Sequence, residues 1–81
     1  MNRATLRVLF EANEVPRDQY GLSGGLPNEC FCIDLDPEGK WCTYYSERGV
    51  RSGLKLFDSE DAACKSLAVS VLPNIDLNRL E

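Results

Sequence analysis

The sequence predicts an α+β domain in which an N-terminal helix leads into a three-stranded antiparallel meander and a C-terminal helix closes the chain. Three observations predict it. Apolar residues recur at three- and four-residue steps near both ends. Runs with period-two alternation lie between them, and Gly- and Pro-bearing turn text separates those runs. Helices in separate blocks on either side of a run of strands favour a layer of helices on one sheet face. The 81 residues suffice for one small core, so residues 1–72 read as a single compact domain and 73–81 as a short tail.

At the N-terminus, Leu6, Leu9, Phe10 and Asn13 fall on one side while Arg3, Arg7, Glu11 and Glu14 fall elsewhere, the pattern of an amphipathic helix from about Asn2 to Asn13. Pro16 limits its continuation. RDQYGLSGGLPNE, Arg17 to Glu29, reads as a loop because its glycines and proline suit no periodic element, with Tyr20, Leu22 and Leu26 pinning it to the core. CFCIDLD, Cys30 to Asp36, alternates as a strand, PEGK is a turn, and WCTYYSE, Trp41 to Glu47, is a second strand rich in aromatic and β-branched residues.

A four-residue PEGK loop sets Asp36 opposite Trp41 and Ile33 opposite Tyr44. One face then collects Phe31, Ile33, Leu35, Cys42 and Tyr44, and the other Cys32, Asp34, Asp36, Trp41, Thr43 and Tyr45. A slip of one residue exchanges the faces of the second strand. ERGV turns the chain into a third strand, Ser52 to Phe57. Asp58 or Ser59 caps the helix SEDAACKSLAVSVL, whose Glu60 and Asp61 suit the positive end of the helix dipole and whose apolar row is Ala63, Leu67 and Val71. Pro73 ends it.

Composition excludes several classes of function. With 13 acids against 9 bases the net charge is −4, which disfavours nonspecific contact with nucleic acid or anionic membranes and favours a basic partner. No apolar run approaches a membrane span or a signal peptide, so the expectation is a cytoplasmic protein. Cys30, Cys32, Cys42 and Cys64 lack the CxxC spacing of a zinc site, which predicts reduced thiols and no metal. The chain has no histidine to activate a cysteine, GLSGG lacks the ending of a phosphate loop, and the Asp34, Asp36 and Glu38 cluster reads as solvated strand and turn positions. The expectation is a protein that is not an enzyme and needs no cofactor.

GLSGGLPNE, then YYSERG, then SGLKLFDSEDAAC, in that order and spanning Tyr20 to Leu67, together resemble the small immunity proteins encoded beside bacterial polymorphic toxins, including those of contact-dependent growth inhibition. The resemblance implies an inhibitor that binds one cognate toxin domain, often a nuclease, and either plugs its active site or holds an exosite. The −4 charge suits a basic nuclease. A small cytosolic binding or regulatory module unrelated to toxin immunity is the competing reading. On the immunity reading the chain acts as a monomer, and the expected partner-binding surface is acidic and aromatic: Asp34, Asp36, Glu38, Trp41 and Tyr45 around the first hairpin, with Glu47 and Arg48 at the second, because Trp and Tyr anchor interfaces and carboxylates steer a basic partner.

Overall fold

A computed structural model describes residues 1–25 and 28–75. In chain order it contains α1 (Arg3–Ala12), a 3₁₀ turn (Arg17–Gln19), β1 (Tyr20–Gly21), β2 (Cys30–Leu35), β3 (Trp41–Glu47), β4 (Val50–Phe57) and α2 (Glu60–Val71). The predicted α+β class, with its helix at each end of the strands, holds. The sheet differs in strand number and direction: it is four-stranded and mixed, in the order β1-β2-β3-β4, and its last strand begins at Val50, two residues before the expected start. The added strand, β1, pairs in parallel with β2 through Tyr20–Phe31 and Gly21–Cys32. Two residues are too short to show a period, so the segment reads as loop in the sequence. Leu26 and the tail beyond residue 75 lie outside the described residues.

Both helices are capped by the residues expected of good N-caps. The Asn2 side chain accepts from the Thr5 N–H at 2.8 Å, and the Ser59 Oγ accepts from the Ala62 N–H at 3.1 Å. Their inner faces bury Leu6, Leu9 and Phe10 of α1 and Ala63, Cys64, Leu67 and Ala68 of α2 against Tyr20, Leu22 and Ile33. Full burial of side chains such as Phe10, Leu6 and Leu67 stabilises the fold by roughly 1.5 to 3 kcal/mol each.

The register between β2 and β3 is shifted by one residue from the expected one, with Leu35 opposite Trp41, Ile33 opposite Thr43 and Cys32 opposite Tyr44. The cause is the turn. Asp36 N–H donates to the Lys40 carbonyl at 2.8 Å and Gly39 N–H to the Asp36 carbonyl at 3.0 Å. Gly39 takes φ +85°. A three-residue loop of a type I turn followed by a left-handed glycine replaces the four-residue loop. The Asp36 carboxylate locks it by accepting from the N–H groups of Glu38 at 3.0 Å and Lys40 at 2.8 Å. Because side chains alternate with period two, this single residue moves Trp41, Thr43 and Tyr45 to the helix face with Phe31 and Ile33. Cys42 and Tyr44 go to the opposite face with Cys32 and Asp34.

No described helix lies on that second face. Cys30, Cys32, Cys42 and Tyr44 nevertheless form a buried cluster there, beneath the stretch that follows β1. The Tyr44 hydroxyl donates to the Gly25 carbonyl at 2.6 Å. Gly24, at φ +74°, passes so close to Asp34 that a Cβ on it would lie 2.4 Å from the carboxylate carbon, a place and a conformation that favour glycine. The Arg51 guanidinium lies 4.6 Å from the Tyr44 ring centroid, within cation–π reach.

Candidate functional site

The residues expected to bind a partner separate into two groups at opposite ends of β3, which spans Trp41–Glu47, about 20 Å at the usual rise of a strand. Near the first hairpin, Asp34 is half-buried beneath Gly24 and its Oδ1 accepts from the Leu35 N–H at 2.8 Å. Asp36 is occupied in locking its turn. Glu38 is exposed at the tip. Trp41 is half-buried against the helical core, with the Arg3 guanidinium 5.0 Å from its ring centroid. The register shift therefore places Trp41 and Asp34 on different faces of the sheet, and this end of the molecule forms no single acidic and aromatic surface.

The other end does. Tyr45 packs edge-on against Phe31, with ring centroids 4.9 Å apart and planes at 64°, the T-shaped arrangement that aromatic quadrupoles favour. The two rings lie in an open cleft of about 560 Å³ that also meets Asp18, Gln19, Asn28, Glu29 and, from the last turn of α2, Val71. Glu47, exposed at the end of β3, is close enough that its charge, together with that of Glu29, holds the Tyr45 phenol above its ordinary pKa, after partial desolvation as the first cause. Asp18, Glu29 and Glu47 form no ion pair among the described residues. Two basic residues adjoin these acids in sequence: Arg17, which pairs with Glu11 at 3.7 Å, and Arg48, which sits at a left-handed φ of +52° in the turn between β3 and β4, where its N–H donates to the Asn28 Oδ1 at 3.3 Å.

Local structure fixes the cleft. The Cys30 thiol donates to the Asp18 carbonyl at 2.8 Å, which ties the 3₁₀ turn to the first residue of β2. Burial, then the charges of Asp18 and Glu29, raise the pKa of that thiol, so it is held neutral as a donor and is unsuited to act as a nucleophile. The arrangement offers an aromatic floor and a carboxylate rim. Its chemistry suits reception of a cationic side chain, with the rings supplying a π face and apolar area and the carboxylates supplying acceptors. Phe31, Asp18, Glu29 and Asn28 escaped sequence reasoning. The first was assigned to a different set of core neighbours by the expected register, and the others read as ordinary loop positions.

The four cysteines are free and buried, and among the described residues no group of three or more His, Cys, Asp or Glu side chains is placed to hold a metal ion. No described helix is long and apolar enough to cross a membrane. No family model, curated protein or solved structure matches the chain.

Proposed function

We propose that the protein is an immunity protein that neutralises a cognate bacterial toxin domain by binding it, and that the cleft of Phe31 and Tyr45 receives a lysine or arginine of that domain. One observation carries the reading: Asp18 and Glu29 in the lining of the cleft and Glu47 near Tyr45, all three without ion-pair partners among the described residues, stand about an accessible aromatic pair on a chain of net charge −4. A basic nuclease is the partner that such a surface would attract fastest. Of the residues expected from the sequence, Tyr45 and Glu47 belong to this surface and Arg48 borders it. Asp34, Asp36, Glu38 and Trp41 lie at the far end, where Glu38 is a second, weaker point of contact.

The test is stopped-flow binding to the product of a toxin-like reading frame next to the gene, with each variant first shown to be folded. Asp18→Lys with Glu29→Lys is expected to slow association about tenfold and to flatten its salt dependence, as loss of steering does. Tyr45→Ala is expected to speed dissociation, by about 30-fold if the ring is an anchor carrying about 2 kcal/mol. Glu38→Lys is expected to do much less. Unchanged rates in the first two variants, with slowed association in Glu38→Lys, would move the interface to the first hairpin and defeat the cleft reading. Failure of any neighbouring toxin domain to bind would favour the competing reading of a binding module unrelated to immunity.

A further inference from the structure

We infer that the outer edge of β4 is a second interaction surface, one that accepts an extended strand of a partner in which apolar and acidic side chains alternate. β4 runs Val50–Phe57 and lies at the end of the sheet, where among the described residues it pairs only with β3. Alternate N–H and C=O groups along it therefore point away from β3, a template for one more strand. Its side chains are unusually open for a strand of this length. Val50 is 62% exposed, Leu54 55% and Leu56 57%. The opposite edge of the sheet is the two-residue β1, far too short to serve in the same way.

Register sets what kind of strand fits. Thr43 pairs with Lys55 and Cys42 with Leu56, while Tyr45 pairs with Ser52, so Gly53 and Leu54 together oppose Tyr44. Gly53 takes φ +65°, which makes this a bulge of the glycine type. Leu54 and Leu56 therefore project on the face of Cys42 and Tyr44, and Lys55 on the helix face. An added strand would set apolar side chains beside Leu54 and Leu56 and an acidic one beside Lys55.

Charge selects the acidic partner and argues against a second copy. From Arg48 to Phe57 the sequence holds three cations and no acid within a chain of net charge −4: Arg48 in the turn before β4, Arg51 over the Tyr44 ring, and Lys55 on the helix face, where the acidic side chain would stand. None of the three forms an ion pair among the described residues. Edge-to-edge pairing of two β4 strands would bring like charges together across the seam, a feature that protects natural edges from self-association. This surface is opposite in charge to the cleft of Phe31 and Tyr45, and its occupant is accordingly a different segment from the basic one proposed there.

The probe is an acetylated and amidated peptide of alternating Glu and Val, titrated into the isotope-labelled chain and followed by amide shifts and hydrogen exchange. Saturable shifts along β4 are expected, with new protection at the amides that point away from β3. Lys55→Glu, on an exposed side chain, is expected to weaken binding about two- to fivefold, the range of a rim ion pair. A peptide with Lys in place of Glu should bind less tightly, and one N-methylated on the amides of one edge should lose binding. Equal binding of the lysine or N-methylated peptide, shifts confined to other surfaces, or a dimer formed through β4 without peptide would each overturn the inference. None of these results would bear on the cleft, whose variants are read against a different partner.

Discussion

The two faces of one sheet are buried by different means. On the helix face, Ile33 clusters with Leu6, Phe10 and Leu67, all at 1% exposure or less, and hydrocarbon side chains supply most of the burial, with Tyr20, Cys64 and Thr43 as its buried polar members. On the other face the cover is a glycine-bearing stretch, and what it covers is three thiols, a phenol and Ser46. Apolar area dominates the first, whereas the second relies on close backbone approach, the Tyr44–Gly25 hydrogen bond and the stacked Arg51. A face without a helix can thus be as dry as one with two, provided the chain crossing it has no Cβ where it comes nearest.

The difference is sharpened by substitutions on each side. Phe10→Ala is expected to have the largest effect, about 3 to 5 kcal/mol, because it opens a cavity amid rigid neighbours. Urea unfolding measures it; a loss under 1 kcal/mol would mean the helix face repacks freely. Gly24→Ala comes next. Gly53→Ala, with nothing within 4 Å of its Cβ, should cost only the left-handed backbone, about 1 to 2 kcal/mol. Gly24→Ala adds a collision with Asp34 and should exceed it. Adding Asp34→Ala should recover the excess, and a double-mutant cycle showing no coupling would break the account of how this face is closed.

Alkaline pH tests the burial of both faces. Burial pushes the Cys32 thiol up to about 11 and the Tyr44 phenol up to about 12 on the loop-covered face, and the Cys64 thiol up to about 11 on the helix face. Each group stays protonated longer in the folded chain than in the unfolded one. Their contribution to stability is therefore complete below about pH 9 and falls as the pH rises through 11 to 12. Urea midpoints measured from pH 8 to 11 should decline, and Tyr44→Phe should make that decline shallower. A flat profile would contradict the burial of these groups.

The smallest effect expected is a gain. The Ser46 Oγ is buried without a hydrogen-bond partner among the described residues, and an unsatisfied buried hydroxyl costs about 1 to 3 kcal/mol. Ser46→Ala should therefore stabilise the chain slightly, by up to about 1 kcal/mol, in the same urea assay. A loss would mean the hydroxyl is satisfied in solution.

Much of this contrast was legible in the sequence, and the limit has a definite physical location. The helical periods of Leu6, Leu9 and Phe10 and of Ala63 and Leu67, a cap at Asp58 or Ser59 and the strand bounds Trp41–Glu47 all follow from local preferences. The assignment of faces does not. It depended on whether Gly39 would take a left-handed φ and shorten the turn by one residue, and a loop of four favoured residues carries no mark of that choice. The same uncertainty decided the candidate site, since the register determines whether Tyr45 stands beside Asp34 or beside Phe31. β1 was hidden for another reason: its pairing with β2 is fixed by Tyr20 docking on Phe10, ring centroids 4.7 Å apart, a contact between distant positions rather than a local pattern.

The mixed sheet also orders events in time. β2, β3 and β4 are joined by tight turns, so their pairing closes short loops and can begin before the rest of the chain is placed. The parallel pairing of β1 with β2 must wait for a longer excursion, and the contact of Tyr20 with Phe10 requires α1 as well. Folding should thus pass through a transition state in which the meander, braced by α2, is largely formed while β1 is still free. Mutations at Tyr20 should then accelerate unfolding with little change in the folding rate, and those at Ile33 should slow folding.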